Sequence, residues 1–191
     1  MGDDLGREIF RGLAFLALGV TSAGAFAQET PVPYAIACVH SRIAVPDGFR
    51  CETTQNYSGY QYSADAGGTF RNWAAAGVID GVRFFYLMTE VTSMGTGLNP
   101  ALSLQDMIKA EITSAYQARN FSALAHRDGA DFTTFTIAAG NSCVGLRRYG
   151  PSESVGYRWI LTAIRCEAPG RATTQQEIDS FIAAARVRGA S

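Results

Sequence analysis

The sequence predicts an α+β domain, a largely antiparallel sheet with two helices packed on one of its faces. Three observations predict it: strand-like runs joined by short Gly-containing turns, a helix pattern in mid-chain, and a second, strongly capped helix pattern near the end. Short links between successive strands favour antiparallel pairing, because a parallel pair needs a crossover of a dozen residues or more.

Residues 35–45 read as a strand, turned at Pro46-Asp47-Gly48 and returned over 49–53. A loop with Asn56 and Tyr57 comes next, and 70–75 is another strand. Asp80-Gly81 is a hairpin signal, and the run 82–91 after it is apolar in both of its alternating sets. That pattern predicts a central strand covered on one face by a helix and partly covered on the other. Ser103, with Asp106 three residues on, opens a helix whose face carries Leu104, Met107, Ile108, Ile112, Ala115 and Tyr116, with Glu111 as a polar lapse. Strands are then expected at 121–126, 131–139, 143–149 and 157–166. Pro169-Gly170 closes the sheet region. Thr174-Gln175-Gln176-Glu177 is a capping box ahead of the apolar stripe Ile178, Phe181, Ile182 and Ala185.

Residues 1–27 have the order of a secretory signal. Arg7 and Arg11 precede the apolar run 13–20, and small residues end in Ala25-Phe26-Ala27, so cleavage is expected before Gln28. The apolar run is too short for a bilayer, which takes about 20 such residues, and no later run is long enough. Beyond the cleavage point, a flexible polar N-terminus is expected at 28–34 and one domain at 35–191. Four cysteines remain, Cys38, Cys51, Cys143 and Cys166, and in an exported chain an even set reads as two disulfides with three possible connectivities. Cys38–Cys51 and Cys143–Cys166 are favoured, because each pair brackets a hairpin-like segment. A zinc site made of the four lacks any C-x-x-C knuckle.

Of the 16 basic residues only Lys109 is a lysine, a bias typical of GC-rich bacterial genomes, which directs the expected location to the periplasm or the medium. The processed chain is formally neutral, which gives no electrostatic reason to expect a nucleic-acid partner.

The segment Arg42-Ile43-Ala44-Val45-Pro46-Asp47-Gly48-Phe49 resembles the early strand of the PsbP-like fold, which includes periplasmic DcrB-type proteins, and both helices fall where that fold would place them. The resemblance implies a binding or accessory module and supplies no functional residue.

Candidate chemistry is sparse. His126-Arg127-Asp128-Gly129-Ala130-Asp131 brings an imidazole near two carboxylates, although Asp128-Gly129 is also what a tight turn requires. His126 with Asp128 or Asp131 would serve a small periplasmic hydrolase. Tyr57, Tyr60 and Tyr62 form a polar-aromatic segment suited to contact with a partner, or to packing in an edge strand. Met94-Gly95-Thr96-Gly97-Leu98 lacks the remaining residues of a phosphate loop and reads as a plain loop. Arg147 and Arg148 are adjacent in a strand and so point to opposite faces, where solvated side chains are expected. No metal or cofactor is indicated. The leading expectation is an exported, non-catalytic binding or accessory module of the bacterial envelope that contacts a protein or envelope component; the alternatives are the hydrolase and a secreted effector.

Overall fold

The computed structural model describes residues 31–59, 68–111 and 117–189. The chain forms β1 (Pro33–Ile36), β2 (Arg50–Thr54), β3 (Tyr57–Gly59), β4 (Gly68–Ile79), β5 (Val82–Val91), helix α1 (Leu104–Glu111) and β6 (Ala125–Arg127). Beyond these lie β7 (Ala130–Thr136), β8 (Ser142–Tyr149), β9 (Ser152–Glu153), β10 (Gly156–Tyr157), β11 (Trp159–Cys166) and helix α2 (Gln175–Ala184). The main sheet runs β1-β2-β4-β5-β11-β8-β7-β6, with β3 added beside β4, and every pair in it is antiparallel. The class is therefore the α+β one expected, with a larger sheet.

Tight turns set the register. Ile79 faces Val82 across Asp80-Gly81, and Arg127 faces Ala130 across Asp128-Gly129. All four loop residues have positive φ (51° and 80°, 49° and 71°), as a two-residue turn matching the strand twist demands. One residue more in either turn would send every following side chain to the wrong face.

The helices do not share a face. Along β8, Val144, Leu146 and Arg148 point toward α2, where the Arg148 guanidinium donates to the Ile182 carbonyl. Cys143, Gly145 and Arg147 point toward α1: Ile108 lies against Gly145, and Arg147 donates to the Leu102 carbonyl at 2.9 Å. β5 divides likewise, Phe84 and Tyr86 packing near Phe181 of α2 while Phe85 packs with the α1 cluster. The expectation of both helices on one face is thus corrected. The central strands are apolar in both alternating sets, so both faces of the sheet need cover.

Other departures are local. Residues 35–45 do not form one strand: β1 stops at Ile36, a 3₁₀ turn takes Cys38–His40, and Ile43 bridges to Val187 over the α2 face. Of 121–126 only the last two residues enter a strand, although Arg119 and Ser122 hydrogen-bond to the β7 backbone at Thr136 and Thr134. The N-terminal segment 28–34 is cut by β1, which begins at Pro33 where a missing N–H is tolerated. The signal segment, and the part of the first helix pattern at 112–116, lie outside the described residues.

Both favoured disulfides are formed. Cys143 faces Cys166 directly across the β8–β11 ladder, with Cα atoms 4.1 Å apart. Cys38–Cys51 ties the turn after β1 to β2, at 5.2 Å. Two disulfides fit an oxidising location. Among the described residues no helix is long and apolar enough to cross a membrane.

Several arginines hold loops by their carbonyls rather than standing in solvent. Arg158 donates to the carbonyls of Ser93 and Val91, and Arg188 to that of Cys38 at 2.7 Å. Arg147, expected as solvated, is buried. Its planar donors instead serve the start of α1.

The capping box at Thr174 is complete. Its hydroxyl accepts from the Glu177 backbone N–H, and the Glu177 carboxylate accepts from the Thr174 N–H at 2.8 Å. Those bonds from Thr174, with help from Arg165, hold the Glu177 carboxyl at about 2, down from 4.5. A folded-state value below the unfolded one stabilises fully above the ordinary carboxylate range, and the contribution is lost as pH falls through the folded value. Thermal midpoints of the native chain should therefore fall between about pH 4.5 and 2 more steeply than those of Glu177→Gln. Parallel profiles for the two proteins would show that the cap carries no such linkage.

Candidate functional site

The β6–β7 hairpin places His126 directly opposite Asp131. Their side chains share the α1 face, with His126 Nδ1 and Asp131 Oδ1 2.9 Å apart. The second carboxylate oxygen of Asp131 accepts from the Tyr149 hydroxyl at 3.1 Å. Tyr149 comes from β8 and packs against Tyr157, ring centres 4.6 Å apart. Burial pushes the Tyr149 hydroxyl above its ordinary value, with Arg147 pulling the other way. The result is an oriented imidazole whose Nε2 faces outward, backed by a carboxylate that a tyrosine holds in place. Such an arrangement suits proton exchange or a hydrogen bond to a partner. The side chain of His126 is 67% exposed, so it stands on the surface rather than in a cleft. Asp128 is not part of this group: it occupies the turn at φ 49°. Among the described residues, no hydroxyl or thiol bonds the outer nitrogen of His126.

The aromatic segment divides. Tyr57 is turned into the sheet, where its hydroxyl accepts from Asn72 Nδ2 at 2.9 Å and its ring lies near Phe70. It thus has the packing role rather than the contact role. Tyr60 and Tyr62 lie outside the described residues. The loop with Gly95 and Gly97 is structural: Leu98 and Tyr157 exchange backbone hydrogen bonds at 2.8 and 3.0 Å. A Cβ on Gly97 would collide with the Val155 carbonyl oxygen. Among the described residues no group of three metal-ligating side chains converges.

No protein-family model, curated protein or solved structure matches the chain.

The surface that sequence reasoning missed is the β1 edge. β1 ends the sheet, so one side of its backbone has no strand beside it among the described residues. Around it stand Val32 and Val39, 80% and 73% exposed, with Tyr34 between them in the chain. A groove of about 410 Å³ runs behind, lined by Ile36, Val39 and Phe49, by the Cys38–Cys51 disulfide, and by Asp47 and Arg50 at the rim. The available signal was the alternation of Val32, Tyr34 and Ile36, which the flanking prolines obscured.

Proposed function

We propose that the chain is an exported, non-catalytic accessory module that holds an extended segment of a partner protein against β1. The observation that carries this reading is the β1 edge: an end strand with exposed apolar side chains and a groove behind it. Soluble proteins usually blunt such edges, because an unpaired strand templates addition of another. Here the flanking side chains are apolar rather than charged, and Tyr34 offers ring area and a hydroxyl at little entropic cost. Kinship with the PsbP-like fold belongs to the same proposal, and the order strands, helix, strands, helix supports it. Export to an oxidising compartment is supported by the disulfides and by the signal-like order of residues 1–27.

The test is site-specific photo-crosslinking in cells of a species that exports the protein. A photoreactive residue at Tyr34 or Val39 should give one discrete adduct with another protein, and the same residue at Val155 should not. Changing Tyr34 and Val39 together to Asp should cut the yield of an Ile36 crosslink by about tenfold, the loss that truncating interface anchors produces. Equal yields from all positions would overturn the reading. A second reading, hydrolysis, is favoured by the His126–Asp131–Tyr149 geometry alone. Turnover of a simple ester by the purified protein that is lost in His126→Asn would establish it and displace the first.

A further inference from the structure

The chain contains two tryptophans, and the sheet brings both to one spot. Glu90 of β5 is flanked in the ladder by Arg71 of β4 on one side and Trp159 of β11 on the other. Trp73, two residues along β4 on the same face, donates its indole N–H to Glu90 Oε2 at 3.2 Å, which fixes its ring. Arg42, from the segment that crosses this face, pairs with the other Glu90 oxygen at 3.1 Å. Glu90 is thereby engaged on both oxygens, by partners other than its ladder neighbour.

That leaves Arg71. Its guanidinium lies 5.4 Å from the Trp73 ring centre, a cation–π stack, and among the described residues it takes part in no ion pair. Its Nε, like that of Arg42, is shielded from solvent and has no hydrogen-bond partner among them. Stacking engages the flat face of a guanidinium and leaves its edge N–H groups free, the geometry that accepts a planar carboxylate in two parallel bonds. Arg71 and Trp159 are both only partly buried, so the edge and the second ring can be reached from outside.

We propose that Arg71, Arg42, Trp73 and Trp159 form a binding site for a monocarboxylate that carries a flat apolar or ring body. Charge sets the ligand class: two cations against one carboxylate leave a single positive charge, which suits a monoanion better than a phosphate dianion. The guanidinium edge takes the carboxylate. The indole of Trp159, which lies against Gly150 on the far side of Glu90, bounds the place where the body would sit, either an aromatic ring or the apolar face of a sugar. This site is independent of the β1 edge, and its failure would leave that reading intact.

The two tryptophans make the site its own reporter, since intrinsic fluorescence has no other tryptophan source. Purified oxidised protein is titrated with benzoate and with glucuronate, and in parallel with benzamide and glucose as uncharged counterparts. A saturable change in emission with an acid and none with its neutral counterpart is expected. Response to benzoate alone assigns an aromatic acid, and response to glucuronate alone an acidic sugar. Arg71→Gln should weaken the response by about tenfold or more, the scale of one lost charge-assisted bidentate pair. Arg71→Lys, which keeps the charge without the fork, should fall between, and Arg83→Gln on the opposite face should change nothing. Unaltered far-ultraviolet dichroism checks that each variant folds. No saturable response to either acid, an equal response to benzamide or to inorganic sulfate, or full binding by Arg71→Gln would overturn the proposal.

Discussion

Replacing Glu167 by glutamine is expected to lower the thermal midpoint by roughly 6–12 °C, the shift that about 3 kcal/mol produces in a domain of this size. Glu167 is fully buried just beyond the end of β11. Arg165 approaches its carboxylate at 2.7 Å and Arg171 at 3.2 Å, and both cations also reach Glu177 at the start of α2. Neither oxygen of Glu167 is in hydrogen-bonding alignment with a donor among the described residues, so the carboxylate depends on charge attraction. Two cations and two carboxylates balance only as a set. The glutamine keeps the shape and leaves the largely buried Arg165 short of one counter-charge, the costly half-broken state of a buried ion pair. Arg171 is half exposed and Arg165 remains beside the carboxylate when it is removed, so Arg171→Ala should cost less than Glu167→Gln. Thermal melts of both variants at neutral pH decide the matter. If Glu167→Gln costs no more than Arg171→Ala, burial does not set the strength of this network.

The second large effect is expected at Cys143–Cys166. Replacing both cysteines by alanine should cost on the order of 3 kcal/mol from the freed loop, plus whatever cavity fails to close. The bond spans 23 residues of sequence and both halves are buried in the α1 cluster. Cys38–Cys51 spans 13, which in the chain-entropy model lowers its contribution by only about 0.5 kcal/mol. Its Cys38 half is partly exposed, however, and lines the groove at the sheet edge. The two double variants should therefore separate in a scanning calorimeter, with the Cys143 pair lower by several degrees. Equal midpoints would mean that the packing of the inner bond contributes nothing beyond its loop.

The legible part of the sequence was local. The run at 82–91, the Asp-Gly turns, the Thr174 capping box and both disulfides were each readable from a few neighbouring residues. The apolar character of both sets in β5 already held the need for cover on two faces. The assignment of both helices to one face failed because periodicity names the buried residues and not the direction from which they are covered. β1 was overlooked because Pro31 and Pro33 read as a loose terminus. His126 was readable beside Asp128 or Asp131, and the hairpin register singles out Asp131. Tyr149 was not, because it enters by way of β8. Arg71 and Trp159 could not be joined at all without the strand order, which puts β11 beside β5.

The guanidinium–carbonyl ties have a consequence for how this molecule comes apart. A peptide carbonyl does not titrate, and arginine keeps its proton throughout the ordinary pH range. The loops held by Arg147, Arg158 and Arg188 are thus fastened by bonds that acid does not reach. The start of α2 is fastened instead by the carboxylate of Glu177, which accepts from the Thr174 N–H and pairs with Arg165. Acidification should therefore loosen the fold first at the start of the C-terminal helix, while the loops tied by arginine stay moored.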